Sequence, residues 1–385
     1  MINKSIFGKI ALVVVGALII PTFAVAQIKM GIILGFTGPI ESLTPDMGKS
    51  AELAFKEVSD SGQLLGGQKV SVVRGDSTCI DAAAASAAAE RLITSDRVAG
   101  IMGADCSGVT TAIANNVAVP NGVTMISPSA TSPALSTIAD NGYFFRTAPS
   151  DARQGQILAE ITIERGINNV AVTFINNDYG KGLSDSFINA YKGLGGKVSA
   201  VVPHEADKAD FSAEVATLDA SGADVLAVFG YVDQGGNHII QGSLDAGSFD
   251  KFILADGMYG ESLLKNMEGD LTGTFGTVPG TDSKGSETFK GMAQSAGITV
   301  GGPFTGESYD AAALLMLAMQ SAGSTDRAAI ASNVLAVANA PGVKIMPGEL
   351  RKGLIILAKG GAVDYVGASN VELVGGGEAS GSYQE

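Results

Sequence analysis

Two short segments rich in hydroxyl side chains have the composition of an anion-binding site. They are residues 104–108 (ADCSG) and 127–131 (SPSAT), and each directly follows a short apolar run. Such runs, bounded by turn residues, are typical of buried parallel strands. Ligands of open α/β sheets bind at the carboxyl ends of strands, where hydroxyls and free backbone N–H groups can bind a carboxylate. The two segments therefore predict a site for a small anion or zwitterion.

The rest of the chain alternates short apolar runs with helical stretches. Eight runs are candidate strands: 28–34, 69–74, 98–102, 123–126, 169–175, 197–202, 224–229 and 251–254. Repeated strand–helix units predict an α/β fold with parallel sheets and helices on both faces. Eight strand–helix units are more than one sheet of ordinary size contains, and residues 146–151 interrupt the alternation of strands and helices. We therefore expect two lobes. The later run 354–357 is also a predicted strand, and the Gly- and Ser-rich residues 373–385 a flexible tail.

Residues 1–26 have the pattern of a secretory signal peptide. Lys4 and Lys9 form a basic n-region, residues 10–20 an apolar h-region, and residues 24–26 (AVA) a small-x-small cleavage site. This h-region is too short to span a bilayer, which needs about 20 apolar residues. We therefore predict a protein exported to the periplasm and cleaved after about Ala26, with an uncleaved anchor as the alternative.

The composition is that of a globular protein with an acidic surface. Hydrophobic residues make up 46% of the chain, and the net charge at pH 7 is −14. Nucleic acids and anionic membrane surfaces would be repelled by this charge. We therefore expect neither as a partner, and no membrane insertion after cleavage of the signal.

The chain has two cysteines, Cys79 and Cys106, and an exported protein meets an oxidising compartment. A disulfide between them is the prediction, and two free buried thiols are the alternative. Closing a loop of this length is worth about 3.5 kcal/mol in the chain-entropy model. A zinc site with the two histidines is not expected, because no C-x-x-C or H-x-x-x-H spacing occurs.

Enzyme motifs are absent or incomplete in this sequence. Residues 48–50 (GKS) end like a phosphate-binding P-loop, but Leu43 occupies the position of the required earlier glycine. Neither a G-x-S-x-G nucleophile elbow nor a G-x-G-x-x-G dinucleotide motif occurs. The sequence therefore predicts no catalytic residues, metal or cofactor.

Six segments together resemble a known family of binding proteins. The segments are GFTGP (35–39), DSTC (76–79), DCS (105–107), SPSAT (127–131), FRT (145–147) and NDYGKG (177–182). Through nearly all of residues 28–370 the chain is similar to substrate-binding proteins of branched-chain amino acid ABC importers. The resemblance implies the type I periplasmic binding protein fold, with two Rossmann-like lobes joined by a three-segment hinge. It further implies a monomer that delivers its ligand to a membrane permease.

On this resemblance, lobe 1 comprises residues 27–146 and 279–343, and lobe 2 comprises residues 147–278 and 344–372. Ser107 and Thr131 would bind a substrate carboxylate, and the Ser129 carbonyl, beside Ala130, would accept from an ammonium. The resemblance also implies roles for five further residues. Tyr179 and Tyr231 would cover the ligand, Asp256 would pair with the ammonium, Phe304 would line the side-chain pocket, and Leu43 stands where relatives often have an aromatic residue.

Three alternatives stay open on the sequence alone. The same receptor type could bind an amine-free carboxylate or an amide- or urea-like solute. The chain could also be a ligand-sensing module, or an enzyme such as an amidase, for which we find no nucleophile–base pair. Asp256 separates the first alternative from an amino-acid receptor, because only an amine needs a carboxylate partner in a closed site.

Overall fold

Two parallel β-sheets, each covered by helices, form the two lobes of the protein. The computed structural model describes residues 27–385, so the predicted signal peptide lies outside the described residues. The strands are β1 (Ile28–Leu34), β2 (Val70–Asp76), β3 (Ile101–Gly103), β4 (Met125–Ser127), β5 (Phe144–Arg146), β6 (Asn169–Ile175), β7 (Lys197–His204), β8 (Val225–Phe229), β9 (Phe252–Leu254), β10 (Phe275–Gly276), β11 (Val278–Pro279), β12 (Val343–Ile345), β13 (Val363–Tyr365), β14 (Leu373–Val374), β15 (Glu378–Ala379) and β16 (Tyr383–Gln384). The α/β class with two lobes is confirmed.

Twelve α-helices accompany these strands in the described part of the chain. They are α1 (Thr44–Ser61), α2 (Ala82–Glu90), α3 (Ser107–Ile113), α4 (Asp151–Glu164), α5 (Asp178–Gly193), α6 (Ser212–Asp219), α7 (Gly236–Ala246), α8 (Glu261–Asn266), α9 (Lys284–Ser295), α10 (Thr305–Ala322), α11 (Arg327–Ala338) and α12 (Leu350–Ala358). None of them combines the length and apolarity that a membrane span requires.

The first lobe has a seven-stranded sheet in the order β14-β15-β5-β4-β3-β1-β2. Strands β1 to β5 run parallel to one another, and β15 runs parallel to β5. Only β14 runs antiparallel to its neighbour, β15. Five consecutive residues of β1 are buried, as expected for a central strand covered on both faces. The carboxyl ends of β3 and β4 lie side by side, which brings the two hydroxyl-bearing segments together.

The second lobe has a five-stranded parallel sheet in the order β10-β9-β8-β6-β7. Its central strand β8 is buried at every residue. Helix α5 follows β6, and its N-cap residue Asn177 accepts a hydrogen bond from the Gly180 N–H at 3.0 Å. This cap fixes the turn after β6. Tyr179, in the first turn of α5, therefore lies at the same edge of the sheet as the carboxyl end of β9.

Residues 344–372 pack on the first lobe, and the prediction that they belong to the second lobe was wrong. The Leu350 N–H donates to Glu57 of α1 at 2.8 Å, and the Tyr365 hydroxyl donates to Asp310 of α10 at 2.7 Å. Residues 354–357, predicted as a strand, lie inside α12, whose apolar side packs on α10. A short apolar run does not distinguish a buried strand from a buried helix turn.

The prediction of a flexible tail at residues 373–385 was also wrong, because this segment forms β14, β15 and β16. Strand β15 adds to β5 in the first lobe, and β16 pairs with β11. The Tyr383 hydroxyl donates to the Ser150 carbonyl at 3.1 Å, and Glu385 pairs with Arg165 of the second lobe. The tail is thus the third segment that crosses between the lobes, beside residues 146–151 and the chain around β11.

Candidate functional site

A cavity lies between the two lobes at the carboxyl ends of their strands. Its lining contains seven of the nine predicted ligand-binding residues together with five others. The lining residues are Ile40, Leu43, Met47, Asp105, Cys106, Ser107, Ser129, Tyr179, Tyr231, Asp256, Gly257 and Phe304. Because Tyr179, Tyr231, Asp256 and Gly257 come from the second lobe, the cavity is complete only when the lobes are together.

The first lobe supplies hydroxyl groups to one side of this cavity. Ser107 begins α3, and its Oγ accepts a hydrogen bond from the Ser132 N–H at 3.1 Å. The Ser129 hydroxyl donates to the Asp105 carbonyl at 3.2 Å, and the Ala130 N–H donates to Ser127 Oγ at 2.9 Å. These bonds tie the ends of β3 and β4 into one rigid wall.

Thr131 and Ala130 directly follow Ser129 in the chain and are not among the residues that line the cavity. Both are buried, with exposures of 1% and 0%. The Thr131 hydroxyl has no hydrogen-bond partner among residues 27–385. A buried hydroxyl without a partner is unusual in a folded protein, and the Asp151 carboxylate, which also has no partner among residues 27–385, lies beside it.

Asp105, which the sequence did not single out as a site residue, holds the wall in place. Its carboxylate accepts from the Gly35 N–H at 2.5 Å, the Ser77 hydroxyl at 3.0 Å and the Cys106 N–H at 2.9 Å. Burial raises the pKa of this carboxyl, while the three donors favour its ionised form. Asp105 therefore connects the loops after β1, β2 and β3.

The predicted disulfide between Cys79 and Cys106 is present, and it joins the loop after β2 to the residue before Ser107. We expect reduction of the native protein to lower the free energy of unfolding by about 3.5 kcal/mol, because the closed loop restricts the unfolded chain. Urea unfolding with and without reductant measures this difference. Equal stability of the oxidised and reduced forms would show that the bridge does not constrain the chain.

The second lobe presents two stacked aromatic rings and one carboxylate. The rings of Tyr179 and Tyr231 are 5.4 Å apart between centroids and inclined by 15°. The Tyr179 hydroxyl donates to Asp256 Oδ1 at 2.6 Å, and the Gly257 N–H donates to the same oxygen at 2.7 Å. The Tyr179 hydroxyl and the Gly257 N–H therefore fix the orientation of the carboxylate.

Asp256 has one oxygen available for a further contact. Its side chain is 1% exposed, and no donor in the described part of the chain reaches Oδ2 within hydrogen-bonding distance. Burial raises the pKa of this carboxyl, whereas the Tyr179 hydroxyl, the Gly257 N–H and the neighbouring Gln154 side chain lower it. A buried carboxylate oxygen of this kind is suited to a charged donor such as an ammonium.

The remaining wall of the cavity is apolar. Ile40, Leu43 and Met47 come from the loop after β1 and the start of α1, and Phe304 directly precedes α10. Sequence reasoning had missed Ile40 and Met47, which carry no polar signal. Leu43 also packs on the second lobe. Its Cδ2 atom lies so close to Gly260 that a Cβ atom at that glycine would be only 2.9 Å away.

Direct hydrogen bonds join the lobes at both ends of the cavity. At one end the Ser42 N–H donates to Asp233 Oδ2 at 2.8 Å, and the Asp233 N–H donates to the Pro39 carbonyl at 3.1 Å. At the other end the Ser132 hydroxyl donates to the Asp178 carbonyl at 3.0 Å. The lobes are therefore closed over the cavity.

Sequence comparison places this two-lobed architecture in a known family. The family model for periplasmic binding proteins matches residues 27–351. The chain belongs to the periplasmic binding protein family. It is 30% identical over 331 residues to Leu/Ile/Val-binding protein homolog 1 of Brucella abortus, covering 84% of this chain and 86% of that protein.

Solved structures show the same fold for this binding protein. One is the branched-chain amino acid transporter substrate-binding protein LivJ of Streptococcus pneumoniae in complex with isoleucine, with a TM-score of 0.76, 22% identity and coverage of 93% and 95%. Another is an ABC transporter solute-binding protein of R. palustris in complex with benzoate, with a TM-score of 0.75, 16% identity and coverage of 93% and 92%. The same architecture thus holds amino acids in one protein and an aromatic acid in another.

Proposed function

We propose that this protein is a periplasmic receptor that captures a small amino acid, branched-chain or otherwise neutral and aliphatic, between its closing lobes. The receptor would then deliver this ligand to the membrane permease of an ABC importer. The observation that carries the proposal is the Asp256 carboxylate, which faces a hydroxyl-bearing wall across a closed cavity. A free amino acid needs both groups once water is expelled, because each of its two charges must then find a partner.

The two halves of the zwitterion fit the two lobes. Ser107, Ser129 and the buried Thr131 hydroxyl would serve the ligand carboxylate, with the Ser129 carbonyl available to the ammonium. Asp256 Oδ2, which has no partner among the described residues, would accept from the ammonium. Hydrogen bonds that involve charged groups contribute about 1.5–3 kcal/mol each, so these contacts can determine which ligand class binds.

The apolar wall supports the choice of an aliphatic side chain. Ile40, Leu43, Met47 and Phe304 offer no hydrogen-bonding side-chain group to the ligand. Burying one more methylene against such a surface is worth about 0.8 kcal/mol, so leucine, isoleucine and valine should be preferred over alanine. Leu43 in place of an aromatic residue leaves Phe304 as the single aromatic side chain among these four residues.

The second candidate is a receptor for an amine-free carboxylic acid. The benzoate complex of the R. palustris protein supports it, as do the two stacked tyrosine rings that could pack on an aromatic ligand. The buried oxygen of Asp256 argues against it, since a carboxylate ligand would place a second negative charge in the same cavity.

A thermal-shift screen of amino acids and carboxylic acids tests the proposal. Ligand at 100 times its dissociation constant stabilises the folded state by about 2.7 kcal/mol, so a branched-chain or small neutral amino acid should raise Tm by several degrees. Matched deaminated acids, which keep the carboxylate and the side chain, serve as controls. A rise in Tm with the deaminated acids alone would replace the amino-acid receptor by the second candidate.

A further inference from the structure

Asp233 of the second lobe is bound to the first lobe at two points. Its Oδ2 accepts a hydrogen bond from the Ser42 N–H at 2.8 Å, and its own N–H donates to the Pro39 carbonyl at 3.1 Å. One residue thus pairs with a donor and an acceptor of the same turn, residues 39–42, which fixes both the distance and the direction of the contact. Asp233 is not among the residues that line the ligand cavity. The contact therefore joins the lobes without being a contact to the ligand.

The turn that Asp233 binds is held in place by the first lobe. Before the turn, Thr37 Oγ1 donates to Oδ2 of Asp76, the last residue of β2, at 2.7 Å. After the turn, Thr44 Oγ1 donates to the Gly35 carbonyl at 2.9 Å. Because it is tied down on both sides, the turn moves with the first lobe.

The loop after β8, residues 230–236, is held in place by the second lobe. A Cβ atom at Gly230 would lie 2.9 Å from Nε2 of the buried His204, and one at Gly235 would lie 2.9 Å from the Glu205 carbonyl oxygen. The loop therefore lies directly on the end of β7 and moves with it. The two hydrogen bonds across the cleft thus join one fixed segment of each lobe.

The Asp233 contact differs from the contact at the other end of the cavity. There Ser132 pairs with Asp178, and the neighbouring Thr131 carbonyl accepts from the Asp151 N–H at the first crossing, at 2.9 Å. No hydrogen bond in the described part of the chain joins Asp233 or its turn to a crossing segment. Because the lobes of such a protein rotate about their crossings, opening would separate Asp233 from the turn.

We propose that Asp233 is a latch, which forms on the 39–42 turn when the lobes close and sets how long a bound ligand is retained. The inference rests on the proposed function, in that a latch serves only a receptor whose lobes close over a ligand. The turn contains Ile40 and directly precedes Leu43, and Tyr231 lies on the same loop as Asp233. Because these three residues line the cavity, the movement that forms the latch also brings the two walls around the ligand.

The latch acts on ligand release rather than on ligand entry. The ligand enters the open protein, in which the two bonds are absent, so kon should not depend on Asp233. Release requires both bonds to break. The Asp233 side chain is half-buried, and a hydrogen bond of ordinary net strength changes an equilibrium constant by about three- to tenfold. Weakening the latch should therefore raise Kd through koff.

Stopped-flow tyrosine fluorescence of the mature protein with L-leucine tests the latch, with Tyr231 in the cavity wall as the reporter. In Asp233→Ala, koff should rise about three- to tenfold, while kon stays within about twofold of wild type. Asp233→Asn keeps an oxygen acceptor for the Ser42 N–H, so its koff should lie between these two. Asp207→Ala changes an exposed residue of the same lobe and, as the matched control, should leave both rates unchanged.

Two further measurements separate a latch from a residue that only supports the fold. The urea midpoint of the ligand-free protein should be the same in Asp233→Ala as in wild type, because the latch is absent from the open form. In the wild type, the Ser42 amide proton should exchange with solvent at least about tenfold more slowly in the leucine complex than in the ligand-free protein. This second measurement keeps the test valid if Asp233→Ala fails to fold.

An unchanged koff in a folded Asp233→Ala variant, or a Ser42 amide that leucine does not protect, would overturn the latch and leave the proposed function standing. A lower urea midpoint of the ligand-free variant would assign Asp233 to the fold and also overturn the latch. Binding of deaminated acids alone would overturn the amino-acid receptor, and the same rates measured with such an acid would then decide the latch. Binding of neither ligand would overturn both.

Discussion

Asp256→Asn should weaken amino-acid binding about ten- to a hundredfold. The asparagine keeps the size of the side chain and an oxygen for the Tyr179 hydroxyl and the Gly257 N–H. It removes the negative charge that would face the ligand ammonium, and hydrogen bonds to charged groups contribute about 1.5–3 kcal/mol. Calorimetric titration with leucine measures the change in Kd.

Thr131→Val is the matched variant for the other half of the ligand. It deletes a hydroxyl with little change of shape, and we expect a loss of similar size because the carboxylate is then poorly paired. The deaminated analogue of leucine distinguishes the two variants, since only Asp256→Asn should spare it. Unchanged leucine affinity in Asp256→Asn would show that this carboxylate is structural, and the ammonium would then need another partner, with the Ser129 carbonyl the next candidate.

Arg146→Met should lower the free energy of unfolding by about 3 kcal/mol, the lower end of the cost of removing one partner from a buried ion pair, because the partner Glu378 is 29% exposed. The Arg146 side chain is 1% exposed, and it joins the Ala130 and Ser132 carbonyls to Glu378 on β15. Its loss would leave the buried Ala130 carbonyl without a donor and weaken the hold on the loop that carries Thr131. Urea unfolding at constant pH measures the effect.

Arg153→Met is the control for this variant, because Arg153 is exposed on α4 and forms no ion pair within the described chain. A surface change of this kind should stay within about 0.5 kcal/mol. If Arg146→Met were no more destabilising than Arg153→Met, the guanidinium would not hold the loop. Weaker ligand binding at full stability would instead assign Arg146 to the binding site itself.

The position of the candidate site could be predicted from sequence because it follows from sheet topology. Residues 104–108 and 127–131 follow apolar runs that became the adjacent parallel strands β3 and β4, so their hydroxyl groups had to meet at one edge. The cysteine pairing followed from having two cysteines in a chain with a predicted export signal. Tyr179, Tyr231 and Asp256 came from the resemblance, since no local pattern says that a second lobe covers the first.

Features that depend on packing between distant segments could not be predicted. The Gly- and Ser-rich residues 373–385 have the composition of a flexible tail, yet β15 and β16 gain partners on β5 and β11. Residues 354–357 are a helix turn because α10 offers an apolar surface, which the sequence of α12 alone does not reveal. Asp151 resembles an ordinary acidic residue in the first turn of a helix, and only its complete burial sets it apart.

Titration of the wild-type protein with L-leucine and with its deaminated analogue, 4-methylpentanoate, tests the central claim most directly. The two ligands share the carboxylate and the side chain, so their difference in affinity isolates the ammonium. We expect leucine to bind at least tenfold more tightly, because only its ammonium can pair with the buried Asp256 carboxylate. Equal affinities, or tighter binding of the deaminated acid, would contradict the assignment of this protein as an amino-acid receptor.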